Sequence, residues 1–305
     1  MKALKTSFEE IVDVDAIGKE VNTRNLNDLL KRASQENIRP SHEDTKKVMA
    51  LLIDPQLDFM ENGALGVPGS IKDTENTARF IYNNMEQITR IVVSLDTHNP
   101  FQIFHPCWWI DENGNNPPPF TAITVKGLDD GSWKPVLHAQ KSREYVQSLE
   151  KNAKKTLVIW PYHCLQGTMG NAVENQLANL IYFHSVAKKT VPERVVKGMA
   201  PLSEMYGIIK PEDNNEQNIN MDLLNEIEKY QMIVVAGQAK SHCVLESVKQ
   251  ILEHYADRPD VTSRIYILED CMSSIQGFEE ATEITFEQFR TQYKINLVRS
   301  TDLVL

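Results

Sequence analysis

The sequence predicts an α/β fold: a doubly wound, mostly parallel sheet with helices on both faces. Three observations carry this reading. Strand-like and helix-like segments alternate along most of the 305 residues, the pattern that gives right-handed βαβ crossovers and a parallel sheet. The run Met232 to Ala236 is continuously apolar and largely β-branched, as suits a strand covered on both faces. Acidic, basic, imidazole and thiol side chains recur just after the strand-like runs, at the edge where open parallel sheets bind ligands.

The elements follow in order. Residues 1–46 are polar and charged, with a helix predicted over Asp15 to Asn37 from Ile17, Val21, Leu26, Leu29 and Leu30. They read as an N-terminal helical arm on one domain spanning 47–305. Val48 to Asp54 is the first strand. Ala78, Ile81, Met85 and Ile88 share one face of a helix over Glu75 to Thr89, and Ile91 to Asp96 is the second strand. Pro117, Pro118 and Pro119 with several glycines mark 106–135 as an irregular loop. A helix near Ser142 to Asn152 leads to a strand at Thr156 to Trp160, and a helix over Ala172 to Ala187 leads to a short strand at Arg194 to Lys197. After the polar stretch Pro211 to Asn220 come a helix, Met221 to Tyr230, and the strand from Met232. Gly237 breaks that strand, and Val244, Val248, Ile251, Leu252 and Tyr255 then take helical spacing. A strand at Arg264 to Glu269, a helix at Glu279 to Tyr293 and a strand at Ile295 to Arg299 complete the series.

Composition narrows the function. A formal net charge of −10 with no long Lys/Arg run argues against nucleic acid or an anionic membrane as partner, since both need clustered positive charge. No apolar run approaches the ~18 residues of a membrane span. The opening residues lack the apolar core of a signal peptide, so the expectation is a soluble, cytoplasmic protein. Its four cysteines show neither CxxC spacing nor the density of a disulfide scaffold, and read as free thiols.

Cys243 lies at the start of the helix after the Met232 strand, where free N–H groups and the helix dipole favour a thiolate. It reads as a nucleophile with oxyanion donors beside it, or as a small buried residue sealing the turn. The other strands deliver Asp54, Asp96 with His98, Trp160 with His163, and Lys197 to the same edge. The Lys197 ammonium can hold Asp54 ionised beside the thiol, and Asp54 can then take the thiol proton and pass it to a leaving amine. Asp54 can also be a turn residue before Pro55. One carboxylate and two imidazoles from Asp96, His98 and His163 suit zinc, or iron or manganese, with His105 a candidate fourth ligand. Cys164 reads as packing, as do Cys107 and Cys271. His242 points away from the thiol by adjacency and should line the pocket or orient the loop.

These segments resemble the isochorismatase-like cysteine hydrolases, and among them the nicotinamidases. The resemblance covers about residues 47–275 and is carried by Asp54-Pro-Gln-Leu-Asp-Phe59, Asp96-Thr-His98, Trp160-Pro-Tyr-His-Cys-Leu-Gln-Gly-Thr168, Val196-Lys-Gly198 and Gly237-Gln-Ala-Lys-Ser-His-Cys-Val244. It implies a six-stranded parallel sheet in a Rossmann-like three-layer sandwich. It implies a triad of Asp54, Lys197 and Cys243, a cis peptide between Gln238 and Ala239, and an oxyanion hole from the N–H groups of Ala239 and Cys243. Phe59 and Trp160 would sandwich a pyridine ring, with Gln238 and His242 also at the substrate and the ring nitrogen on the metal. The implied reaction is hydrolysis of a small carboxamide, nicotinamide first, through a thioester, with release of ammonia. Glu204, with Tyr206 nearby, stands where nicotinamidases place an aromatic residue after the lysine.

A relative acting on a carbamoyl or ureido compound shares the triad but typically lacks the metal ligands. A binding protein that keeps the fold without the chemistry is the reading from another class. The apolar positions of the arm predict a homo-oligomer.

Overall fold

A computed structural model describes residues 4–153, 155–212 and 219–305. Six parallel strands form the central sheet: β1 (Val48–Ile53), β2 (Arg90–Asp96), β3 (Glu193–Lys197), β4 (Met232–Gly237), β5 (Ile265–Leu268) and β6 (Asn296–Val298). Their order is β6-β5-β4-β1-β2-β3. β1 lies at the centre, with Leu52 opposite Val93 of β2 and Ala236 of β4. Being flanked on both sides and covered on both faces, β1 is buried at every position, which is why it and β4 read as unbroken apolar runs.

Alternate residues of β1 serve different cores. Val48, Ala50 and Leu52 face the helices α3 (Ser70–Asn83) and α5 (Asn175–Ala187). Met49, Leu51 and Ile53 face α6 (Met221–Ile227), α7 (Leu245–His254) and α8 (Glu279–Tyr293), the period of two that a pleated strand imposes. A third apolar cluster forms a lobe from the inserted segment after β2, built on Phe104, Trp108, Trp109 and α4 (Ala139–Ser148), and ending at Trp160.

The arm covers the α3/α5 face. The short α1 (Phe8–Ile11) and α2 (Leu26–Ala33) place Phe8, Ile11, Val12, Ile17, Leu29 and Ala33 in the same core as α5. Buried polar side chains of α5 tie it down: Gln176 Oε1 accepts from the Asp13 N–H at 2.9 Å, and Asn179 pairs with Asn22.

Several predicted elements change. The single helix over Asp15 to Asn37 is a 3₁₀ turn at Val14–Ala16 followed by the shorter α2. Gly18 takes φ +80° between them, and the Asn25 side chain caps α2 by accepting from the N–H groups of Asn27 and Asp28. The strand predicted at Thr156 to Trp160 is not in the main sheet. Leu157–Val158 pairs antiparallel with Ala122–Ile123, and Leu157, Ile159 and Trp160 bury into the inserted lobe. The helix predicted over Glu75 to Thr89 starts and ends earlier, at Ser70 and Asn83, where the Asn84 side chain turns back to donate to the Phe80 carbonyl. Residues 213–218, within the polar stretch predicted at Pro211 to Asn220, lie outside the described residues.

Candidate active site

Cys243 is placed by the end of β4. At Gly237, with φ +130°, an added Cβ would collide with the Ile53 backbone of the neighbouring strand, so the close approach requires glycine. The Gln238–Ala239 peptide is cis. A wide turn, Lys240–Val244, then runs into α7. The Ala239 carbonyl accepts the N–H groups of His242 at 3.1 Å and Val244 at 3.2 Å, the residues on either side of Cys243.

Asp54 follows β1 at φ +43°, a left-handed conformation that Asp tolerates better than most residues. Its carboxylate is fully buried. Ser94 Oγ donates to Asp54 Oδ1 at 2.5 Å, and Lys197 Nζ lies 2.9 Å from Oδ2. The same ammonium sits 3.0 Å from Asp96 Oδ1 and 3.8 Å from Cys243 Sγ, and donates to the Met205 carbonyl at 3.0 Å. Neither Asp54 Oδ2 nor Asp96 Oδ1 has an aligned hydrogen-bond donor among the described residues, so Lys197 holds both by charge. β2 pairs with β3 so that Asp96 is opposite Lys197, which is how two strands bring these groups together.

The electrostatics follow from burial. Desolvation raises the Asp54 carboxyl, with Lys197 pulling it down. Desolvation also pushes the Cys243 thiol well above its usual range, against the pull of Lys197. For Lys197 burial acts to lower the pKa, but Asp54 and Asp96 outweigh it and keep the ammonium charged. One buried cation therefore faces two carboxylates beside a neutral thiol.

Asp96, His98 and His163 bring one potential ligand atom each to within 4.8 Å of one another. The histidines share a further feature. Nδ1 of His98 meets the Gly198 carbonyl at 3.0 Å, Nδ1 of His163 the Pro161 carbonyl at 2.8 Å, and Nδ1 of His105 the Pro100 carbonyl at 3.1 Å. A carbonyl only accepts, so each Nδ1 carries the proton, which leaves Nε2 as the atom each ring would offer a metal. His98 Nε2 lies 2.9 Å from Asp96 Oδ2. Burial acts to lower the His98 pKa, this contact outweighs it and raises the pKa, and a cation would replace the contact. The His105 Nε2 is buried without a hydrogen-bond partner, and its ring centroid lies 5.9 Å from that of His98 and 6.4 Å from that of His163. His105 lies outside the group of three, and an orphaned buried acceptor beside a carboxylate–imidazole cluster fits a divalent ion.

Above this cluster lies a narrow slot of about 30 Å³. Phe59, Trp160, His163, His242, Ala239 and Cys243 line it, together with Phe104, Glu204 and Tyr206. Gln238 does not line it. Its amide donates to Asp73 Oδ2 at 2.9 Å and accepts from the Ser273 N–H, behind the loop. Cys164 is buried with its N–H on Asp58 Oδ2. Sequence reasoning passed over Ser94 and Gln56. The Gln56 amide spans the Asp96 backbone, donating to its carbonyl and accepting from its N–H, both at 2.7 Å.

No family model matches the chain, and no curated protein does. Solved structures do match. A yeast nicotinamidase, Pnc1p, superposes at TM-score 0.58 with 20% identity, covering 83% of this chain and 99% of that one. A nicotinamidase pyrazinamidase of Acinetobacter baumanii gives 0.56 with 18% identity, covering 86% and 100%. A pyrazinamidase of Pyrococcus horikoshii in complex with zinc gives 0.50 with 18% identity, covering 83% and 98%. The chain has the isochorismatase-like fold. In that fold the site sits at the carboxyl edge of β1, β2, β3 and β4.

Proposed function

We propose that the chain is a metal-dependent cysteine amidohydrolase that releases ammonia from a small carboxamide, with nicotinamide the leading substrate. The observation that carries this is the Lys197 ammonium, buried at 2.9 Å from Asp54 and 3.8 Å from the Cys243 sulfur. Lys197 offsets the buried charge of Asp54 and Asp96, and the same ammonium is close enough to the sulfur to balance negative charge that develops on it.

The residues act in order. Asp54 takes the thiol proton while Lys197 balances the growing negative charge, and the sulfur attacks the carboxamide carbon. The N–H groups of Ala239 and Cys243 stabilise the oxyanion. Asp54 returns its proton to the departing nitrogen, ammonia leaves, and a thioester remains on Cys243. Asp54 then draws a proton from water, which hydrolyses the thioester. Phe59 and Trp160 flank the slot and would hold a planar ring between them. Asp96, His98, His163 and His105 would hold a divalent ion, for which zinc suits the nitrogen-rich donor set. When bound, the ion supplies a Lewis acid for a ring nitrogen.

Ammonia release from nicotinamide should be measurable for the wild type and fall by at least about 10³-fold in Cys243→Ala, with an unchanged circular dichroism spectrum. A wild type inactive on nicotinamide and on other small carboxamides sinks the proposal, and an active Cys243→Ala sinks the mechanism.

A further inference from the structure

The slot adjoins a second, larger cavity of about 740 Å³. Trp160, Glu204, Tyr206, His242 and Ile275 belong to the walls of both. A bare pyridine carboxamide needs the slot alone, whereas the outer cavity has the size of a ligand pocket in its own right.

Its lining has a definite chemistry. Phe120 is 62% exposed and Phe278 49%, and both rings stand at this cavity with Trp160 and Tyr206. Large aromatic side chains left open to water around a concave site mark a ligand surface. Three carboxyl groups, Glu204, Glu212 and Glu246, share the wall, and Lys155 is the one cation among the described lining residues. That cation is already committed: Lys155 Nζ pairs with Glu212 and with Glu246 Oε2, the latter at 2.7 Å. Lys249, outside the lining, meets Glu246 Oε1 at 3.3 Å, so the surplus negative charge is that of Glu204, which burial raises to about 7 and which is fully present above that pH. Burial holds the neighbouring His242 low, at about 4, so it adds no positive charge. Aromatic faces with a surplus of carboxylate attract organic cations and repel phosphates and carboxylates.

We propose that this outer cavity is a substrate subsite, and that the enzyme acts on carboxamides whose ring carries an extended substituent ending in an organic cation. The inference rests on the amidohydrolase reading for the reacting end and adds the chemistry of the distal end. Phosphorylated pyridine compounds are excluded by the same charge pattern.

Matched pyridine-3-carboxamides test it, each with the same short chain on the ring, ended in trimethylammonium, tert-butyl or carboxylate. Binding is read by calorimetry on Cys243→Ala, and turnover as kcat/KM on the wild type. The ammonium compound should bind at least about tenfold more tightly than the carboxylate, with the tert-butyl compound between. Phe120→Ala/Phe278→Ala and Glu246→Gln should shrink that ratio to about threefold or less, with kcat/KM for nicotinamide unchanged. Equal affinity for the three compounds, or tightest binding of the carboxylate, overturns the subsite even if nicotinamide is hydrolysed. Selective binding of the ammonium compound by a protein that hydrolyses no amide overturns the proposed reaction and leaves the subsite standing.

Discussion

The carboxyl group of Glu204 shows how a single residue departs from what its neighbours in sequence suggest. Its backbone N–H donates to the Tyr145 hydroxyl, and its Oε1 accepts from Trp160 Nε1 at 2.9 Å and from the Tyr206 hydroxyl at 2.7 Å. Burial raises it from the ordinary carboxylate range to about 7, against the lowering effect of those two donors. A raised acid titrates in the unfolded chain first. Wild-type stability should therefore be fullest below about pH 4.5 as far as this group is concerned, fall as pH rises from there to about 7, and level off above it, losing ~3 kcal/mol over that window. Glu204→Gln keeps an oxygen for Trp160 and Tyr206 and removes the ionisation. Urea unfolding at pH 5 and pH 8 should show the variant gaining on the wild type at the higher pH, and identical pH slopes in the two proteins would refute the assignment. Asp54, Asp96, His98, His163, Lys197 and Cys243 were legible as site candidates because each lies at or just beyond a strand-like run. Ser94 and Gln56 were not, because their value depends on which strands are neighbours: Ser94 serves Asp54 and Gln56 serves Asp96, each from 40 residues away.

At the scale of elements, periodicity located most helices and strands, and tertiary contacts decided what they joined. Leu157–Val158 has the composition of a sheet strand, yet its apolar partners belong to the inserted lobe, so it pairs there. The arm is a similar case. Its charged composition suggests an appended arm that covers an edge of the core, and the structure sets Phe8, Ile11 and Leu29 inside the core under α5 at 5% exposure or less. Ile11→Ala should thus cost about 2–5 kcal/mol, as truncation of a core residue does, with the ratio of kcat to KM on the site's substrate unaffected. Chemical denaturation gives the first quantity and steady-state kinetics the second. A loss under about 0.5 kcal/mol would mean that the arm lies on the core without stabilising it, the value typical of surface positions. No such loss was readable from the sequence, because the burying surface comes from α5, more than 160 residues further along.

At the scale of the whole molecule, the proposed metal cluster adds to the hydrogen bonds by which Gln102, Trp160 and Tyr145 already tie the inserted lobe to the segment after β3. Asp96 ends a strand of the main sheet, His98 and His105 begin the inserted lobe, and His163 follows the segment that closes it. An ion held by these four side chains would clamp the lobe to the sheet edge, and the lobe carries Trp160, one wall of both cavities. Ligand linkage sets the scale: at a free metal concentration of 100 times the dissociation constant, the folded state gains ~2.7 kcal/mol. For a chain of 305 residues that corresponds to a shift of about 4 °C in Tm. Dialysis against a chelator should lower Tm by about that amount and raise amide exchange in the lobe before it does so in β1 or β4, and added zinc should restore both. His105→Ala should retain a smaller shift, since three ligands remain. If elemental analysis finds no bound metal and added zinc moves neither Tm nor exchange, the four side chains are a buried hydrogen-bond cluster, and the lobe is held by its own apolar core and those hydrogen bonds.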